Sequence, residues 1–187
     1  MTTLIAVQGK GWALVGADRR STDELDMPVR MATSKIIENN GYLIAGAGSV
    51  RNCNVLQYAW TPPKPVGAPD VFFTRRFIPA MREAFKTSGI DLKADTSAAQ
   101  HESEFIVAMK GKLYLVSDDY SWERNANGLY CGGSGGILAM SAMMALGWDI
   151  DNPKLTKQNM EIALEIAAEL DIRSAAPFDI LMQKAPK

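Results

Sequence analysis

Two features near the start of the chain could do chemistry together. The first is the threonine in Met1-Thr2-Thr3, and the second is the charged run Gly16-Ala17-Asp18-Arg19-Arg20. Removal of Met1 would leave Thr2 with a hydroxyl and a free α-amine on one residue. The hydroxyl can attack a carbonyl carbon and the amine can take up the released proton. An α-amine has an unperturbed pKa of about 7.7–8.0, so part of it is neutral and basic near pH 7. Thr3 becomes the nucleophile only if two residues are removed. Other centres have little to draw on. His101 is the one histidine of the chain, and any Ser-His-Asp or Cys-His arrangement would have to use it. It stands in the polar run Ala98-Ala99-Gln100-His101-Glu102 and is expected on a surface loop. Cys53 and Cys131 are the only cysteines; with one histidine they make neither a usual structural zinc site nor a disulfide framework.

Composition narrows the class of protein. The 187 residues fit one domain, spanning 1–187. A chain of this size buries roughly 70% of its unfolded surface and can build a core without staples. Hydrophobic residues make up 47% and charged residues 22%, as in soluble globular proteins. A net charge of −1 argues against nucleic acid or an anionic membrane as partner. Lys10, Asp18, Arg19 and Arg20 interrupt the N-terminal region too early for a secretory signal, and no apolar run is long enough to span a membrane. The expected location is the cytoplasm.

The elements that must position these residues follow from periodicity and turn chemistry. Thr2 to Val7 and Trp12 to Ala17 read as strands joined at Gly9-Lys10-Gly11. Ser34 to Asn39 and Tyr42 to Ala45 flank Asn40-Gly41, a strong hairpin signal. Residues 49–60 read as a helix, closed by Thr61-Pro62-Pro63-Lys64-Pro65. A second helix fits 70–88, with Asp70 as N-cap and a kink at Pro79. Residues 91–102 read as a polar loop, and a third hairpin turns at Lys110-Gly111 between Glu104 to Met109 and Lys112 to Ser117. A short strand at 128–131 leads through Gly132-Gly133-Ser134-Gly135-Gly136 into a buried, methionine-rich helix at 136–146. A helix at 156–169 and a strand from Phe178 to Gln183 complete the order. Strands and helices come in separate blocks, which predicts an α+β fold: a four-layer αββα sandwich of two antiparallel sheets flanked by helices.

This order, opening on Thr2, resembles the N-terminal nucleophile (Ntn) hydrolases, and within them the proteasome β subunits and the bacterial HslV peptidase. The resemblance covers nearly the whole chain. It rests on Thr2-Thr3, on Gly16-Ala17-Asp18-Arg19-Arg20-Ser21-Thr22, on Ser34-Lys35-Ile36 followed by Ile44-Ala45-Gly46, and on Gly133-Ser134-Gly135-Gly136 before a helix closing with Ala145-Leu146. Asp171-Ile172-Arg173-Ser174 is similar to the proteasome's Asp-x-x-Ser, and Phe178-Asp179-Ile180 to its closing strand.

The resemblance implies a role for each residue. Thr2 is the nucleophile, and its freed amine is the base. Lys35 stabilises the developing negative charge, and Asp18 keeps Lys35 charged and aimed. The Gly46 N–H is the oxyanion donor. Ser134, Asp171 and Ser174 form the group around the threonine amine. No cofactor is required; a Na+ or K+ ion at a loop of Ala168, Asp171 and Ser174 is the family's option. The implied function is a threonine-type peptidase subunit of a self-compartmentalising, homo-oligomeric ring of six or seven copies, single or stacked. Such a particle acts on peptide and protein substrates and is served by an AAA+ unfoldase. The alternatives are a catalytically silent assembly protein with this fold and an Ntn amidohydrolase of small amides. Two departures stand out. Lys35 lies one residue further from Asp18 than the family pattern, and Arg51 and Asn52 replace an acidic residue after the Ala-Gly turn, which predicts altered subunit contacts. Ile44 and Ala47, flanking that turn, predict an apolar substrate pocket.

Overall fold

The computed structural model describes residues 2–22, 27–90 and 100–186. Met1 and most of the loop read at 91–102 lie outside the described residues. Two antiparallel sheets organise the rest. The first contains β1 (Leu4–Gly9), β2 (Trp12–Asp18), β10 (Leu129–Gly132) and β11 (Phe178–Lys184), in the order β10-β1-β2-β11. The second contains β5 (Ile36–Asn39), β6 (Tyr42–Gly48), β7 (Ser103–Met109), β8 (Lys112–Val116) and β9 (Trp122–Glu123), in chain order. A small hairpin of β3 (Arg20–Thr22) and β4 (Pro28–Arg30) stands apart.

Side chains alternate across each strand, so each sheet has two faces to cover. Between the sheets lie Leu4, Ala6, Ala13, Val15 and Ala17 against Leu43, Ala45, Ala47, Ile106 and Ala108. Most of these are alanines, which lets the two sheets approach closely. The opposite face of the first sheet presents Ile5, Val7 and Leu14 to α4 (Gly136–Leu146) and α5 (Pro153–Leu170), which contribute Ala139, Met143, Met160 and Leu164. The opposite face of the second presents Ile44, Phe105, Val107 and Tyr114 to α1 (Val50–Asn54), α2 (Pro69–Phe72) and α3 (Ile78–Thr87) and the turns joining them. Phe73 stacks on Tyr114 with ring centroids 4.1 Å apart and on Phe77 at 4.4 Å. The result is the αββα sandwich expected from the block order. No helix among the described residues is long and apolar enough to cross a membrane.

The local differences have physical causes. The helix read over 49–60 continues from α1 as π-helical winding through Val55–Ala59. In the second helix, a π-helical stretch at Phe73–Phe77 immediately precedes Ile78-Pro79. Pro79 has no N–H to give and its ring crowds the preceding turn, and a wider turn at that place accommodates both. Asp70 is not the N-cap; Ala68 is, and the Asp70 carboxylate instead accepts the Tyr114 hydroxyl at 2.7 Å. The last long helix starts earlier than read, because Asn152 caps the Leu155 N–H at 3.1 Å and Pro153 fits the first helical position. The β3–β4 hairpin and β9 are too short to carry a periodic signal.

Candidate active site

Thr2 and Thr3 lead directly into β1, and their side chains go to different places. Thr2 lines a pocket together with Ser21, Met31, Ser34, Lys35, Ile37, Gly46, Gly48, Val50, Cys53, Asn54 and Gln57. Thr3 is 1% exposed, and its hydroxyl bonds to that of Ser174. Thr3 therefore belongs to the packing behind the site and is not presented to it.

Lys35 faces the same pocket as Thr2, and its extra residue of spacing from Asp18 does not displace it. The Lys35 ammonium donates to Asp18 Oδ1 at 2.7 Å and to the Arg20 carbonyl at 2.5 Å. Asp18 is fully buried at the end of β2. Its carboxylate also accepts the backbone N–H groups of Thr3 (2.9 Å), Arg20 (2.8 Å) and Ala175 (3.4 Å). Three backbone donors and an ammonium satisfy a charge that would otherwise be costly to bury. Burial pushes the Lys35 ammonium below the usual lysine range, and the Asp18 charge opposes that fall.

On the other side of Thr2 the chain turns at Gly133-Ser134-Gly135. Gly133 has φ +75°, and a Cβ there would stand 2.1 Å from the Thr2 carbonyl oxygen, so only glycine fits. Ser134 donates to Asp171 Oδ2 at 2.8 Å, and Ser174 donates to the same oxygen at 2.8 Å. Burial raises the Asp171 carboxyl. The hydrogen bonds from Ser174, Ser134 and the Arg173 N–H, with the Arg173 charge, outweigh it and hold the group below the ordinary range. The structure thus brings Ser134, Asp171 and Ser174 into one cluster, and the Ser174 hydroxyl joins it to Thr3, the residue after Thr2.

Gly46 and Gly48 both border the pocket, and they differ in what faces them. The hairpin closes on the pair Asn39↔Tyr42 and the ladder ends at Ile36↔Ala45. A two-residue hairpin closes on a hydrogen-bonded pair, and peptide groups then alternate along the strand. The N–H groups of residues 42, 44, 46 and 48 therefore point to one side. Continuing the register sets Gly46 opposite Lys35, whereas Gly48 lies beyond the end of β5. Gly48 is exposed and has φ +117°. Gly46 is buried, and a Cβ on it would stand 2.7 Å from Cys53 Sγ and 2.6 Å from Phe105. The lack of a side chain at 46 lets Cys53 form the pocket floor. Burial pushes the Cys53 thiol up to about 11, with the Lys35 charge opposing.

Other expectations are corrected. Ile44 and Ala47 pack into the two cores and do not line the pocket; its apolar walls are Met31, Ile37 and Val50. Asn52 is not a surface residue for subunit contacts: it is 2% exposed, beneath the turn. His101 is 1% exposed, not on a surface loop, and packs among Phe85, Phe105 and Tyr120 with ring centroids 4.7–5.5 Å away. The sequence signal for Gly48 was present in Gly46-Ala47-Gly48, where two glycines share one strand side. Nothing local marked Cys53 or Ser103, and nothing local marked Asn52 as buried.

Solved structures with the same architecture are found at low identity. Thiobacillus denitrificans BPH is similar at 19% identity with a TM-score of 0.77, covering 98% of each chain. The same protein in complex with epoxomicin gives 18% identity and a TM-score of 0.73, covering 99% of this chain and 100% of that one. Eukaryotic HslV from Trypanosoma brucei gives 18% identity and a TM-score of 0.67, covering 97% and 99%. No protein-family model matches the chain, and no curated protein matches its sequence. The chain has the fold of HslV- and proteasome-type proteins, the Ntn hydrolase sandwich that its motifs resemble.

Proposed function

We propose that this chain, once Met1 is removed, is a threonine-type peptidase subunit of a proteasome-like particle. The observation that carries the reading is Thr2 in the same pocket as Lys35, with Lys35 paired to the buried Asp18. The Thr2 hydroxyl adds to a substrate carbonyl and its α-amine, through a water, takes the proton. Lys35 stabilises the negative charge that grows on the attacking oxygen. The Gly48 N–H, two residues beyond the Gly46 first expected, receives the charge on the carbonyl oxygen. The amine product leaves with a proton, and an acyl ester remains on Thr2. Water, deprotonated by the same amine, releases the acid and restores the hydroxyl.

Asp18 aims Lys35; Ser134, Asp171 and Ser174 support the main chain next to the Thr2 amine. The walls Met31, Ile37 and Val50 favour an apolar side chain on the acyl side of the bond. A Na+ or K+ ion at Ala168, Asp171 and Ser174 would have to use main-chain carbonyls. The Asp171 carboxylate is already engaged, and its carbonyl accepts the Ser174 N–H at 2.9 Å. The ion takes no part in the steps above. The likeness to HslV supports a ring of copies of this chain, six or seven, single or stacked, working in the cytoplasm with an AAA+ unfoldase on peptide and protein substrates.

The test is the intact mass of the purified protein after incubation with epoxomicin, the ligand of the Thiobacillus relative. A peptide epoxyketone closes a ring using both the hydroxyl and the amine of a terminal threonine. The expected result is loss of Met1 and one adduct per chain. Loss of Met1 without an adduct, or a full-length chain without one, overturns the reading and favours the silent assembly protein.

A further inference from the structure

The turn that carries Gly48 is bracketed from behind. A Cβ on Gly48 would stand 2.6 Å from the Glu102 carbonyl oxygen and 2.9 Å from Ser103, so segment 101–103 presses directly against the turn. The Ser103 hydroxyl accepts the Ser49 N–H at 3.1 Å. It also accepts one hydrogen of the Asn52 side-chain amide at 2.8 Å. The second amide hydrogen goes to the His101 carbonyl. Asn52 and Ser103 are 2% and 5% exposed, so water does not compete for these bonds. The Asn52 orientation is fixed by chemistry, because a carbonyl oxygen can only accept and must face the NH2 group.

We propose that Asn52 is a positioning residue for catalysis: its amide ties His101 and Ser103 together, and Ser103 in turn holds Ser49, so that Gly48 keeps its left-handed φ and its N–H stays aimed at the pocket. The inference rests on the peptidase reading above. The partners around residue 52 call for an amide. The His101 carbonyl and the doubly accepting Ser103 hydroxyl require donors, and a carboxylate has none. The substitution Asn52→Asp would set an oxygen against the His101 carbonyl and release the bracket with almost no change in volume. The oxyanion donor would then be present but mobile, and a preorganised donor is worth far more than a mobile one.

The variants are Asn52→Asp and, as a milder release of the same bracket, Ser103→Ala. Turnover of a fluorogenic peptide with an apolar residue before the cleaved bond is measured, with the inhibition constant of a matched peptide boronate. The boronate forms a tetrahedral adduct whose oxygen occupies the oxyanion position. Loss of a whole oxyanion donor costs about 10²–10³ in kcat, so a loosened one is expected to cost about 10- to 100-fold. KM should stay within about twofold, and boronate affinity should fall in parallel with kcat. Unchanged kcat and boronate affinity in both variants overturn the proposal. So does a loss of thermal stability with no change in the ratio of boronate to substrate affinity, which is what a purely structural role would produce. If the parent protein takes no epoxyketone and cleaves no peptide, it is the peptidase reading that fails. Amide hydrogen exchange at Gly48 and Ser49 then decides the positioning role by itself: faster exchange in Asn52→Asp supports it and an unchanged rate overturns it.

Discussion

Replacing Asp18 by asparagine should be among the most damaging single changes the chain can suffer, although it alters only the identity of one atom and the charge. Asp18 is fully buried and its two oxygens meet only donors: Lys35 Nζ at 2.7 Å and the N–H groups of Thr3, Arg20 and Ala175. Asparagine must turn an NH2 group toward one pair of these donors. Lys35, 7% exposed, loses its carboxylate partner at 2.7 Å while its ammonium stays buried. Removing one partner of a buried ion pair costs about 3–5 kcal/mol. At roughly 2–4 °C per kcal/mol for a chain of this length, the melting temperature should fall by roughly 6–20 °C at fixed protein concentration. Lys35→Met should cost less, because Asp18 keeps its three backbone donors.

The pH dependence adds a second check on the same variant. Burial lowers the folded-state pKa of Lys35 below its unfolded value, so the unfolded chain binds more protons between the two. Stability should therefore rise with pH across that window, and more steeply in Asp18→Asn, where the opposing charge is gone. Circular dichroism melts of both single variants and the double variant from pH 6 to 10 measure all of this. A loss under about 1 kcal/mol for Asp18→Asn, or a larger loss for Lys35→Met, would refute the argument from an uncompensated buried ammonium.

Other outcomes follow from the flanking groups. The Asp171 carboxyl is held below its ordinary range, so its contribution is complete above about pH 4 and is lost as pH falls through the lowered value. Asp171→Asn should be less stable than the parent at pH 7 and approach it near pH 2, as read by chemical denaturation at the two pH values; a gap that stays constant would contradict the assignment. With its pKa near 11, Cys53 should react with iodoacetamide at pH 7.5 far more slowly than in the denatured chain, and still more slowly once epoxomicin fills the pocket. Rapid labelling of Cys53 in the native protein, located by peptide mass mapping, would place the thiol outside the pocket.

Much of this protein was readable without coordinates, because its signals are local. Alternation in residues 4–9 and 12–18, Asn40-Gly41 and Lys110-Gly111 at the turns, and the apolar spacing of residues 160–167 each report a periodicity or turn that the chain imposes on itself. The order of those elements was enough for the sandwich, and the motifs singled out Thr2 and Lys35, which share a pocket, Asp18, which pairs with Lys35, and Ser134, Asp171 and Ser174, which form one cluster. What depends on distant segments could not be read. Whether Lys35 tolerates one extra residue before it is decided by the Asp18 carboxylate across the fold. Thr2 and Thr3 are chemically alike, and only the folded chain sets one against the pocket and the other against Ser174. Gly46 and Gly48 are told apart by where β5 stops. His101 and Asn52 are polar residues in polar surroundings of the sequence, and they became core and bracket because helices and β7 close over them. A local pattern can say which face of an element is apolar. Only the packed structure supplies the partner that makes a buried polar group cheaper to keep than to expose.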